Sequence, residues 1–237
     1  MSGGLLRHPA LSASLRNAAI MLAFTVVFTA MMAFTYQATR PAILAAEKEE
    51  QLRLINEILP PQSYDNTLLE DYLQIAADPP PGLLRNGRIW RARKAGRPVA
   101  LLVEALSTEA YAGRVVLIVA VRPDGSVAGV RVTSHKETPG LGDYIDPQKD
   151  RNKAHPWIDQ FARPNAPGKR WRLTKDGGDV DYHVGATVSA RAVTNAVDRA
   201  VAFAARNRHR LYELPAGETV VEKGGRFGEN AHRGENR

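Results

Sequence analysis

With 237 residues, 44% of them hydrophobic, the chain can hold one domain of ordinary size plus appendages and can bury a core. The absence of cysteine excludes disulfides, thiolate-held iron–sulfur clusters and haem attachment through CxxCH, so any electron carrier here has to be a bound organic cofactor. A formal net charge of +7 invites nucleic acid, because phosphate neutralisation dominates such affinities, but the first forty residues argue against that partner.

From Asn17 to Thr39 the run NAAIMLAFTVVFTAMMAFTYQAT carries no charge. At about 1.5 Å per residue a helix of this length spans roughly 30 Å or slightly more, enough to cross a bilayer. A cleaved signal peptide has a shorter apolar region, about 7–15 residues, and no A-x-A site follows this one, so a retained anchor is expected. Arg7 and Arg16 precede the span with no acid among residues 1–16, and the mixed run EKEEQLR follows it. The positive-inside rule then predicts a cytoplasmic N-terminus and an exported body.

Ala42 to Leu59 reads as a helix, with Leu44, Leu52, Ile55 and Leu59 at near-helical spacing, stopped by Pro60-Pro61. ADPPPG (77–82) is a rigid break and NGR (86–88) a turn. RNGRIWRARKAGR (85–97) packs six basic residues around Trp90 and reads as a solvated basic face rather than a nucleic-acid site, since an exported domain meets little nucleic acid, with docking to an acidic partner or to lipid headgroups as the alternative. A strand is expected over Pro98–Ala105. A hairpin follows, in which apolar Val115–Val121, the turn Pro123-Asp124-Gly125 and the return Val127, Val130, Val132 form one unit. ETPGLGD (137–143) is a loop with special backbone angles, WIDQFA (157–162) a short helix and KRWRL (169–173) a possible strand. From Ser189 a helix carries Ala190, Val193, Val197, Val201 and Ala204 on one stripe. After Pro215 the glycine-rich, polar composition predicts disorder.

The stretch DYHVGATVSA (181–190) gathers small residues at the mouth of that helix. Ser189 reads as its N-cap, and a phosphate on or near Thr187 would meet free N–H groups and the positive end of the dipole. An ordinary tight turn is the alternative reading of the same residues. His135, His155 and His183 match no common metal-ligand spacing, there is no G-x-S-x-G, and no catalytic residue or metal is expected.

VDYHVGATVSARAVTNAV resembles the flavinylation motif D-x-x-[S/T]-G-A-T-x-[S/T] of FMN-binding domains. Asp181, Gly185, Ala186, Thr187 and Ser189 fit, whereas Val184 departs from the usual serine or threonine. SHKETPGLGDYI (134–145) is similar to the loop that accompanies this motif in the G subunit of the Rnf ion-translocating electron-transport complex. The resemblance covers about residues 10 to 210. It implies an α+β fold: one N-terminal transmembrane helix followed by an exported FMN-binding domain with an antiparallel sheet and flanking helices. It also implies FMN joined covalently to Thr187 through a phosphodiester. Glu137 and Thr138 would offer polar contacts, Gly140, Leu141 and Gly142 a close-lying backbone and aliphatic face, and Gly185, Ala186 and Ser189 the surround of the acceptor. The expected divisions are a cytoplasmic N-terminus (1–16), a transmembrane helix (17–39), a helical stalk and linker (40–96), the FMN-binding domain (97–212) and a disordered tail (213–237).

By the same resemblance the protein is a single-pass, membrane-bound electron-transfer subunit of the bacterial inner membrane with its main domain periplasmic. It would belong to an ion-translocating ferredoxin:NAD oxidoreductase, with other membrane and peripheral Rnf subunits as partners and a flavin transferase for maturation. The C subunit of the sodium-pumping NADH:quinone oxidoreductase, which shares the domain, is the second reading, and a membrane-anchored assembly protein without flavin is the third.

Overall fold

The computed structural model describes residues 9–162, 171–223 and 226–228, which fall into two units, one up to Gln51 and one from Leu52 onward. The first unit is helical. It holds most of α1 (Pro9–Ile58), which is long and apolar enough to cross a membrane. Leu22, Phe24, Met32 and Phe34 on this helix are more than half exposed, as expected of side chains meant for lipid. The hydroxyls of Thr25, Thr35 and Thr39 donate to the carbonyls of Met21, Met31 and Thr35 at 2.8–2.9 Å. That arrangement satisfies them without water, which a hydrocarbon setting requires. Pro41 lies inside α1 just past the uncharged run, where the missing N–H costs one intrahelical bond.

The second unit is built on a sheet of β1 (Tyr72–Ile75), β2 (Arg88–Lys94), β3 (Arg97–Ala110), β4 (Gly113–Val121), β5 (Val127–Ser134), β6 (Thr219–Lys223) and β7 (Arg226–Gly228). The spatial order is β5-β4-β3-β2-β1-β6-β7. Every neighbouring pair is antiparallel except β1 and β6, which run parallel, so the expected all-antiparallel sheet is mixed. The α+β class stands.

Both faces of the sheet are covered, which is why Val115–Val121 is apolar throughout instead of alternating. Val115, Leu117, Val119 and Val121 point into one core with Leu101, Val103 and α2 (Thr187–Glu213), while Ile118 and Ala120 point into the other with Leu102 and Trp90. α2 buries Ala190, Val193, Val197 and Ala204 in the first core and leaves Val201 partly buried, as its stripe predicts. The second core is closed by Ile55 and Ile58 at the end of α1 together with Leu59 and Leu68. Gly129 on β5 permits this approach, because a Cβ there would stand 2.8 Å from Ile58 Cβ. The turn Pro123-Asp124-Gly125 forms as expected, with Gly125 at φ +86° and the Asp124 carboxylate accepting the Ser126 N–H at 2.8 Å.

Three expectations need correction. The helical stalk and linker expected over 40–96 divides at Leu52, since β1, β2 and the last turns of α1 belong to the sheet-bearing unit. The basic run 85–97 is a solvated face only in part, with Arg85, Arg88, Lys94 and Arg97 exposed. Trp90 is fully buried, and Arg91 is 3% exposed, with its Nε donating to Asp71 Oδ1 at 2.6 Å and its Nη1 donating to the carbonyls of Leu211 and Leu214. Arg93 donates to Asp71 Oδ2 at 3.0 Å and to the Tyr212 carbonyl at 2.7 Å. Two arginines thus close the C-terminal end of α2 and satisfy carbonyls that a helix end leaves over. The expected disorder from 213 gives way to β6, which pairs Gln74 with Thr219 and Ile75 with Val220. WIDQFA is a 3-10 helix; of KRWRL, Leu173 makes an isolated bridge to Val180, and residues 169–170 lie outside the described residues, as do 224–225 and 229–237 of the tail.

Candidate functional site

The site forms where the loop after β5 meets the first turn of α2. α2 begins at Thr187, earlier than an N-cap at Ser189 requires, with Ala186 in the capping position and no side-chain cap. Among the described residues, the first N–H groups of the helix have neither an intrahelical nor a side-chain acceptor. Gly185, at φ +92°, turns the chain into the helix through a conformation that costs other residues free energy. Thr187 is half-buried, and its hydroxyl has no hydrogen-bond partner among the described residues.

Ser189 is instead the third helical residue, 1% exposed, and its hydroxyl donates a short hydrogen bond to Glu137 Oε2. Glu137 is 5% exposed, and its Oε1 accepts the Ala112 N–H at 2.8 Å from the β3–β4 turn. The carboxylate thus faces inward, which departs from its expected role as a polar contact to a flavin. Gly142 seals this arrangement: a Cβ there would lie 2.6 Å from both Glu137 Oε2 and Ser189 Oγ. Thr138 is exposed, and its carbonyl accepts the N–H groups of Leu141 and Gly142 at 3.1 Å. Gly140 takes φ +74°, and its N–H donates to Asp143 Oδ1 at 2.8 Å. Leu141 is 47% exposed with its Cδ1 at 4.0 Å from where a Cβ of Gly185 would stand. All nine expected site residues, 137, 138, 140–142, 185–187 and 189, are therefore brought to one place.

Several supporting groups carried no sequence signal. Tyr144 is 4% exposed, donates its hydroxyl to the Ala186 carbonyl at 3.1 Å and stacks on His183 with centroids 4.0 Å apart. Trp157 packs edge-on against Tyr144 and donates Nε1–H to the Asp181 carbonyl at 2.6 Å, while Gln160 accepts the Asp181 N–H at 2.7 Å. These contacts pin the approach to Gly185 from behind. Asp181 itself is exposed and lines a cleft of about 360 Å³ with Asn152, His155, Trp157, Asp159 and Gln160. Among the described residues no group of three His, Asp or Glu side chains is placed to hold a metal ion.

Burial pushes the Tyr144 hydroxyl up to about 12, with the His183 N–H a smaller opposing influence. The unfolded chain releases this proton near pH 10 whereas the native chain holds it to about 12, so the unfolded state binds fewer protons in between. Stability owed to this group is complete below pH 10 and falls by up to about 1.4 kcal/mol per pH unit between there and about 12, where the native tyrosine also ionises. Tyr144→Phe is expected to lose about 1 kcal/mol at neutral pH, through the lost bond to Ala186, and to show a shallower decline between pH 10 and 12. Chemical denaturation across that range checks both, and parallel alkaline slopes would contradict the assignment.

Around Thr187 the surface is apolar. Among the described residues of the second unit, the large apolar side chains that face solvent are Tyr111, Leu141, Val184 and Val188. Val184 and Val188 flank Thr187, Leu141 lies against Gly185, and Tyr111 adjoins the Ala112 N–H that Glu137 holds. Such clustering marks a binding surface more often than chance exposure. Free helix N–H groups for a phosphate, a glycine that leaves room and an aliphatic shelf are a donor set that fits a flavin mononucleotide.

Comparison with known proteins bears on the same residues. Residues 110–202 match the FMN-binding domain family, and residues 1–58 match the RnfG N-terminal region. The chain is 35% identical over 211 residues to the G subunit of the ion-translocating oxidoreductase complex of Shewanella baltica, covering 85% of this chain and 94% of that one. It is 34% identical over 202 residues to the Pseudoalteromonas atlantica G subunit, covering 83% and 91%. For the Pseudomonas aeruginosa G subunit the identity is 37% over 200 residues, again covering 83% and 91%. With an anchor-like helix, a mixed sheet and an FMN-binding domain in that order, the chain belongs to the RnfG family, the G subunits of ion-translocating oxidoreductase complexes.

Proposed function

We propose that the protein is the membrane-anchored electron-transfer subunit of an Rnf-type ferredoxin:NAD oxidoreductase and carries FMN covalently on Thr187. The observation that carries this reading is the threonine itself. It stands at the first helical position of α2, with an unpartnered hydroxyl and an exposed apolar shelf beside it. Joining that hydroxyl to a flavin phosphate needs an activated donor. Thr187 Oγ1 displaces a nucleoside monophosphate from the pyrophosphate of a flavin dinucleotide, a new P–O bond replaces the one broken, and the hydroxyl proton passes to the base of a flavin transferase. Bound FMN supplies one- and two-electron redox capacity, which a chain without cysteine otherwise lacks. The first-turn N–H groups would hold the phosphate, Gly185 would leave room for it, and Leu141, Val184 and Val188 would offer the ring an apolar surface.

The charge bias of the N-terminus favours a cytoplasmic start with the sheet-bearing unit in the periplasm, where other membrane and peripheral subunits of the complex would meet it. The protein contributes to an ion-translocating oxidoreductase as one of its subunits and needs no catalytic residue of its own. The quinone-oxidoreductase reading has no support in the names of the relatives, which are those of the G subunit. Peptide mass spectrometry on the full chain, co-expressed with a flavin transferase in an exporting host, tests the proposal. FMN is expected on the peptide containing Thr187, with covalent flavin fluorescence on a denaturing gel, and both vanish in Thr187→Ala while the fold is retained. An unmodified Thr187 beside a transferase proven active on another acceptor would leave the flavin-free assembly protein as the better reading.

A further inference from the structure

We infer that Glu137 is a positioning residue that acts on the flavin site through Ser189, holding the attachment threonine and its aliphatic shelf in one geometry. The inference rests on the reading of Thr187 as the flavin attachment point. Its basis is the inward orientation of a side chain in a loop that otherwise faces solvent. Thr138, Pro139, Gly140 and Leu141 are exposed, whereas Glu137 is 5% exposed and both its oxygens are used by the protein. Oε1 accepts the Ala112 N–H at 2.8 Å and Oε2 accepts the Ser189 hydroxyl. Its own N–H donates to His135 Nδ1 at 3.1 Å, which fixes the backbone from which the side chain departs.

One carboxylate therefore joins three pieces of chain that are remote in sequence: the β3–β4 turn, the loop after β5 and the first turn of α2. Ser189 lies two residues past Thr187 on that turn, so fixing Ser189 fixes the helix start on which Thr187 stands. Leu141 lies at the other end of the same short loop, against Gly185. Gly142 is packed against both partners of the bond, so the clasp has no slack in which to shift. A carboxylate meant to touch flavin would have to give up two hydrogen bonds inside a buried setting, which is costly. The geometry assigns it to the protein side of the site.

The test follows modification of Thr187 with time. Full chain with free Thr187 is mixed with flavin transferase and a flavin dinucleotide, and FMN on the Thr187 peptide is quantified by mass. Ser189→Ala is expected to slow modification roughly tenfold, the effect of losing one hydrogen bond to a charged group, and Glu137→Ala, which also strips the Ala112 N–H of its acceptor, at least as much. Because both act through one bond, the double variant is expected to be no slower than the slower single variant. Glu137→Gln, which keeps an acceptor for Ala112 and an amide that can donate to Ser189 Oγ, is expected to recover most of the rate. In the flavin-free Thr187→Ala background, Glu137→Ala and Ser189→Ala should each speed hydrogen exchange across residues 138–143, with melting curves confirming the fold. Additive slowing would show that Glu137 and Ser189 act separately and would overturn the inference, as would wild-type rates in both single variants. A wild-type chain that takes no FMN on Thr187 would instead sink the flavoprotein reading itself, a failure distinguishable by its occurring before any variant is compared.

Discussion

Replacing Arg91 with methionine is expected to destabilise the sheet-bearing unit by about 3–5 kcal/mol, the range for removing one partner of a buried ion pair. Methionine preserves much of the volume, so the loss isolates the guanidinium. Without it the Asp71 carboxylate keeps Arg93, at 23% side-chain exposure, as its cation and the Asn66 amide as a neutral donor at 3.3 Å, and the carbonyls of Leu211 and Leu214 lose the donor they share. For a unit of this size each kcal/mol shifts the melting temperature by about 2–4 °C, so a fall of roughly 10 °C is expected. Thermal unfolding of the full chain in detergent measures it, with Arg206→Met, an exposed site beyond the core stripe, as a comparison expected to stay within about 0.5 kcal/mol. A loss under about 1 kcal/mol for Arg91→Met would show that water takes the place of the guanidinium and that this end of α2 is secured elsewhere.

The second large effect lies at Gly142, and its cause differs from that at the neighbouring Gly140. Gly142 has an ordinary φ of −98°, so any residue can adopt its backbone. What forbids a side chain is space, since a Cβ would lie 2.6 Å from two polar atoms already joined by a short bond. Gly142→Ala must part Glu137 from Ser189 or push the loop off α2, at an expected cost of about 1–3 kcal/mol for the overpacking alone. Gly140 is the reverse case, with only the tip of Arg151 at 3.8 Å from a Cβ but a left-handed φ of +74°. Asparagine tolerates that conformation, so Gly140→Asn is expected to be mild where Gly142→Asn is not. Adding Ser189→Ala to Gly142→Ala relieves part of the clash, and the pair should cost less than the sum of its members. Denaturant unfolding of these variants checks the pattern, and equal costs at 140 and 142 would contradict it.

Periodic features of the fold were legible in the sequence because local chemistry determines them. The hairpin around Pro123-Asp124-Gly125 and the stripe from Ala190 to Ala204 both follow from spacing and turn residues. The burial of Arg91 was not legible, because a run dense in basic residues has the composition of a surface. What buries Arg91 is Asp71 and the end of α2, separated from it by 20 and more than 100 positions. The role of Ser189 was hidden for a related reason. Its hydroxyl suits an N-cap, but the helix starts at Thr187, and a carboxylate 52 positions away claims the hydroxyl. The motif and its companion loop could be recognised as strings, while the roles of Tyr144, Ala112 and Gln160 exist only once the chain is folded. Short strands with unremarkable composition, such as Tyr72–Ile75 and Thr219–Lys223, offer too few residues for any period to declare itself.

The return of the chain along β1 has a consequence for association. Tyr72 O accepts the Gly217 N–H at 2.7 Å, and the N–H groups of Gln74 and Ala76 donate to the carbonyls of Glu218 and Val220 at 2.8 and 3.1 Å. A chain ended at Glu213 would leave those groups as an open ladder at the sheet margin, ready to accept a strand from another molecule. A segment whose glycines and charges suggest it is dispensable thus covers β1 with the chain's own backbone and leaves β5 and β7 as the margins of the sheet.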